Sequence, residues 1–199
     1  DLIFDYVKVN SFGLKFLNEY NYKMIKILYY KDDENFILKL LPKNKQHEIV
    51  LFKFNFLTPS SMFKMINEMQ SLIVLGEKEI AQEKAIWRFH LGRNDEVIIP
   101  KIRFNIENNY ENMEGNRFKA VNHDFEILTM YQKTAFNLNE TGAEIRSDAR
   151  SEIKSEEYED EHPKNLRFDK PFLLLLKRVD NVNPYFAMWV ANAELMEKE

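Results

Sequence analysis

The 199-residue chain is 45% hydrophobic and 14% aromatic, enough apolar side chain for one well-cored domain. Its formal net charge of -4 gives no general attraction to nucleic acid or an anionic membrane, and no apolar run approaches the ~20 residues that span a bilayer. Without cysteine there is neither a disulfide framework nor a thiol nucleophile, and the compartment stays open.

In chain order, Lys8 to Phe56 reads as a β-meander. Tyr22 to Tyr30 partly alternates apolar and polar residues, as a half-buried strand should. The polar turn Lys31-Asp32-Asp33-Glu34-Asn35 separates it from a second strand, Phe36 to Pro42, and Ile49 to Phe56 supplies a third. Leu57-Thr58-Pro59-Ser60-Ser61 is a helix start, with hydroxyl caps and an early proline. Met62, Ile66, Met69 and Ile73 follow at helical spacing and form a core-facing stripe. Gly76 is the expected helix end, and a second amphipathic piece is expected from Glu77 to His90. Val97 to Ile106 returns to strand. Near the C-terminus, Phe172 to Lys177 and Pro184 to Ala191 read as two buried strands joined by a turn at Val179 to Asn183.

Between these pieces lies the most informative stretch. An apolar strand-like run at Ala135, Phe136 and Leu138 ends at Glu140-Thr141-Gly142-Ala143-Glu144. From there to Arg167 the chain is mostly charged and polar, with an acidic run from Glu156 to Glu161. It turns strand-like again at Phe168-Asp169-Lys170-Pro171-Phe172. A loop of this length inside a compact domain is uncommon and is usually either functional or disordered. The two motifs, in this order near the C-terminus, resemble a serpin, in which a Glu-x-Gly-x-Glu hinge ends a central-sheet strand, an exposed reactive loop follows, and the chain re-enters through a Phe-x-x-Pro-Phe strand. The hairpin whose second strand ends in Leu41-Pro42, and the strand at Ile99-Pro100-Lys101-Ile102-Arg103-Phe104, are also serpin-like.

The resemblance runs from about Val7 to Ala193 and covers only the C-terminal half of a serpin. It implies an α+β fold of mainly antiparallel sheets with a few helices, lacking the N-terminal helical half. Residues 1–199 are then one domain or a fragment, with 143–166 the reactive-loop candidate; the start at Asp1 favours a fragment over a half-length product. The absent half would include one of the strands flanking the gap into which a cleaved reactive loop inserts. The hinge by resemblance is Glu140, Gly142, Ala143 and Glu144, and Lys154 and Glu156 are the candidate protease contacts. Within about Ile153 to Asp160, Lys154 suits a trypsin-like enzyme and Glu156 or Asp160 an acid-directed one. The resemblance implies a serine protease as partner and an extracellular setting, although the residues themselves leave a cytoplasmic one open.

Loop insertion needs a strand with one small or apolar face, at a period of two. Ala143, Ile145, Ser147, Ala149, Ser151 and Ile153 provide that face in part. Inhibitory serpins carry a run of small residues just after the hinge, whereas this chain has Ile145-Arg146-Ser147-Asp148. Ile145, Ala149 and Ile153 also recur every four positions, so the segment reads equally as a helix, as in non-inhibitory serpins. Gln132 stands where many serpins have a histidine tying the opening region of the sheet together. These departures favour a non-inhibitory protein or a protease substrate; an inhibitor in full-length form and a half-length binding module are the alternatives. An enzyme is disfavoured: His47, His90, His123 and His162 are scattered, with no pair at metal-binding spacing, and neither a nucleophile elbow nor a phosphate-cradling glycine loop is present. No catalytic residue, metal or cofactor is expected. Asn139-Glu140-Thr141 is a formal glycosylation sequon.

Overall fold

The computed structural model describes residues 1–14, 24–55, 61–92, 94–121, 123–139 and 163–199. The chain opens with a hairpin, β1 (Leu2–Phe4) and β2 (Val7–Val9), turned through Asp5 and Tyr6. After β3 (Ser11–Leu14) come β4 (Ile25–Asp32), β5 (Asn35–Leu40) and β6 (His47–Phe54), which form the meander expected from their alternation and the Asp-rich turn. Asp32 and Asn35 close that turn with side-chain hydrogen bonds, Asp32 accepting from the Glu34 amide and the Asn35 side chain. The meander is shorter than expected, because the strands before β4 join other sheets.

Helix α1 (Met62–Ala81) is capped by Ser61, whose hydroxyl accepts from the Lys64 amide. Met65 and Met69 are buried, in keeping with the apolar stripe. Gly76 does not end this helix. It lies in its interior, where a Cβ would sit 2.3 Å from the Leu28 carbonyl oxygen, so glycine allows α1 to close onto the backbone of β4. The expected second helix over 77–90 is also corrected. Its first residues complete α1; Glu83 and Ala85 then adopt positive φ, and one 3₁₀ turn follows at Ile86–Phe89.

The single strand expected at Val97 to Ile106 is two strands in different sheets, β7 (Glu96–Pro100) and β8 (Ile102–Asn109). The chain changes sheet at Lys101, whose amide donates to Asn10 O instead of to a ladder partner. Then come a hairpin, β9 (Arg117–Ala120) and β10 (His123–Glu126), and β11 (Tyr131–Leu138). After residues 140–162 the chain continues as β12 (Asn165–Arg167), β13 (Phe172–Arg178) and β14 (Phe186–Val190).

Among the described residues this is an α+β fold dominated by antiparallel sheets, with one substantial helix. The largest sheet runs β14-β13-β6-β5-β4, with β13 between two antiparallel neighbours. Phe172 and Leu174 pack on one face with Phe36, Leu38 and Leu51. Leu173 and Leu175 pack on the other with Ile37, Val50, Phe52 and the α1 methionines. That is why β13 is written as an unbroken apolar run: both faces are covered, and alternation has no solvent side to mark. A second sheet has the order β12-β7-β3, and β8 pairs with β11 as a two-stranded ribbon.

Candidate functional site

The hinge residues Glu140, Gly142, Ala143 and Glu144 and the candidate protease contacts Lys154 and Glu156 lie outside the described residues, as does most of the loop candidate. What the structure describes is the ground on either side of them.

On the upstream side is the β8–β11 ribbon. Its register sets Leu138 opposite Ile102, Phe136 opposite Phe104, and Thr134 opposite Ile106, so one face is apolar at the Leu138 end and gives way to the polar pair Gln132–Asn108. Burial declines along that face: Leu138 and Ile102 belong to the core, Phe104 and Phe136 are half-buried, and Ile106 is 48% exposed. Phe136 anchors the ribbon by stacking on Phe186 of β14 at a centroid distance of 5.4 Å, with the Phe104 ring tilted at 5.7 Å. Among the described residues β11 pairs only with β8, which leaves its other edge without a ladder partner. Gln132 accepts a 2.7 Å hydrogen bond from the Tyr110 hydroxyl, so it ties β11 to the loop after β8 rather than to another strand. Asn139, at the head of the sequon, is half-buried and donates to the Asn137 side chain at 3.2 Å.

On the downstream side the chain is fixed within a few residues. The Lys164 amide and ammonium donate to the two carboxylate oxygens of Asp95, each at 2.7 Å, and both side chains are 0% exposed. Asp95 also accepts from the Gly92 amide at 2.8 Å, and the Lys164 carbonyl accepts from the Glu96 amide at 2.9 Å. The Trp87 ring lies 5.6 Å from the Lys164 ammonium. Next, the Asn165 amide donates to Asp33, and β12 runs parallel to β7 with Leu166 opposite Val97.

The Phe-x-x-Pro-Phe motif then enters the core. Phe168 packs edge-on against Phe36 at 5.1 Å and against Phe172 at 4.9 Å. Between these rings, Asp169 receives Lys53, a buried lysine of β6 that donates to Asp169 at 2.7 Å and to the Arg167 carbonyl at 2.8 Å, and stands 3.3 Å from Glu34. Lys170 pairs with the same Glu34 at 3.0 Å, a hydrogen bond that holds its pKa above the ordinary lysine value. One lysine in an otherwise apolar strand, Val50-Leu51-Phe52-Lys53-Phe54, is a signal that reading the sequence for hairpins passes over. The Asp95–Lys164 pair left no such signal, because 69 residues separate its members.

The described histidines stand on different elements: His47 in β6, His90 after the 3₁₀ turn and His123 in β10. His47 meets the Tyr185 hydroxyl at 3.1 Å, and His123 lies edge-on to Phe125 on the exposed hairpin. Among the described residues no three His, Cys, Asp or Glu side chains are grouped to hold a metal, and no helix is long and apolar enough to cross a membrane. No protein-family model matches this chain, and no curated protein matches it.

Proposed function

We propose that this chain is the C-terminal half of a serpin-like protein whose segment between β11 and β12 is protease bait, cleaved as a substrate and not trapping its protease. The observation that carries this reading is the position of the segment. It leaves the sheet from β11, a strand with an edge open among the described residues, and returns into a strand of a different sheet. A reactive loop requires that arrangement, because a cleaved loop can join the first sheet only beside a strand with a free edge. The match of Phe168 and Phe172 to the buried re-entry motif supports the same reading.

The side chains of the segment argue against trapping. Trapping requires insertion to outrun deacylation. Insertion is driven by ladder hydrogen bonds and by burial of one strand face. Ile145, with Arg146 and Asp148 beside it, puts bulk and charge where the first inserted residues must pass. Gln132, where many serpins have a histidine, accepts from the Tyr110 hydroxyl at the end of its own ribbon. Incubation with a trypsin-like and an acid-directed serine protease tests the reading: cleavage within 140–162 without an SDS-stable complex is expected. A stable complex would establish the inhibitor instead.

A further inference from the structure

The Asp95–Lys164 pair is used by nothing proposed above. Isolated buried ion pairs are weak devices for stability, since desolvating both charges offsets their attraction; their better-attested use is to fix register. Here the register fixed is that of the chain just after 140–162. Main chain and side chain of one residue grip one carboxylate, whose third donor is the Gly92 amide, while the Lys164 carbonyl and the Asn165 amide are held by Glu96 and Asp33.

We propose that Asp95 is a positioning residue that sets the C-terminal limit of protease recognition by withdrawing Lys164 from it. This rests on the bait reading for its purpose, though not for its chemistry. A trypsin-like enzyme must draw a basic side chain into its pocket and hold several residues around the bond in extended form. Arg146, Arg150 and Lys154 precede Lys164, and Arg167 and Lys170 follow it. Lys164 has its ammonium on Asp95 beneath Trp87, and Arg167 has its backbone in the β12–β7 ladder. Cutting after either would detach the chain from its anchor just before the core strand β13, and the pair confines cutting to the residues before it.

The test is limited trypsin digestion with mass mapping of the fragments. In the wild type no cut follows Lys164 while cuts accumulate before it. In Asp95→Asn, which leaves the buried ammonium without its counter-charge, cutting after Lys164 is expected to rise about 100-fold, in proportion to the population of the opened state. Asp95→Glu, which keeps the charge, restores most of the protection. An Asp95→Asn protein that keeps its circular dichroism and gains no cut after Lys164 overturns the proposal. Acetic anhydride labelling of the wild type needs no variant: Lys164 is expected to react far more slowly than Lys170, and equal reactivity overturns the proposal. A wild type uncut within 140–162, whose Asp95→Asn form opens at Lys164, would sink the bait reading and leave the anchor standing.

Discussion

β11, which ends just before residues 140–162, and β13, the core strand reached after them through β12, have opposite surroundings. β13 has antiparallel partners on both edges and apolar layers on both faces, and Phe172 to Leu175 are all buried. Among the described residues β11 has one partner, and its side chains are exposed or half-buried until Leu138. The hairpin β9–β10 goes further in the same direction. Arg117–Glu126 and Lys119–Asp124 pairs mark one face, and a stacked Phe118–Phe125 pair, exposed to solvent, marks the other. Aromatic residues alone do not separate these regions, since each carries them. What also separates them is how many neighbours the topology supplies among the described residues: the chain returning to the core is tied at Lys164 and Asn165, and β11 has a ladder partner on one edge.

The largest effect should come from the side that is held. Phe172→Ala removes a ring in contact with Phe4 and Phe168 at the centre of the core and is expected to cost about 3–5 kcal/mol, read by urea denaturation. At the rim of the same sheet, Glu48 should matter less. Burial pushes its carboxyl pKa up, but Lys39 at 2.9 Å and Lys177 at 3.3 Å outweigh that and hold it below the ordinary 4.5. A carboxyl that is more acidic in the folded than in the unfolded chain stabilises the fold above the unfolded value. That contribution is lost as pH falls below about 4.5 and through the lower folded value. Glu48→Gln should therefore cost about 1–2 kcal/mol at pH 7 and flatten the acid limb of a stability-versus-pH curve. The smallest effect belongs to the hairpin, where Phe118→Ser should change stability by no more than about 0.5 kcal/mol. A cost as large as that of Phe172→Ala would erase the contrast between the two regions.

Much of this architecture was legible in the residues. The meander followed from its Asp-rich turn and apolar strands, and α1 from Ser61 and the methionine stripe. The paired strands β13 and β14 followed from two apolar runs and a polar turn. Three features were not legible, for physical reasons. Gly76 has the signature of a helix end, yet glycine also serves where two backbones must touch, and only the packing of α1 on β4 distinguishes the uses. The change of sheet at Lys101 breaks no periodicity, because Val97 to Ile106 is strand on both sides of it. The hairpin β9–β10 is short and polar on one face and met no expectation at all. Of the candidate site, the return into the core at Phe168 and Phe172 was readable as a motif, while the ties that hold it were not. Asp95 and Lys53 lie 69 and 116 positions from Lys164 and Asp169.

The bait reading is tested most directly by mapping the first bond cut when the full chain meets a trypsin-like or an acid-directed serine protease, with the same samples run on an SDS gel. The first cut is expected within 140–162, ahead of any in the ribbon or hairpin, with the protease migrating free. First cuts elsewhere, or a protease that comigrates covalently with the chain, would contradict it.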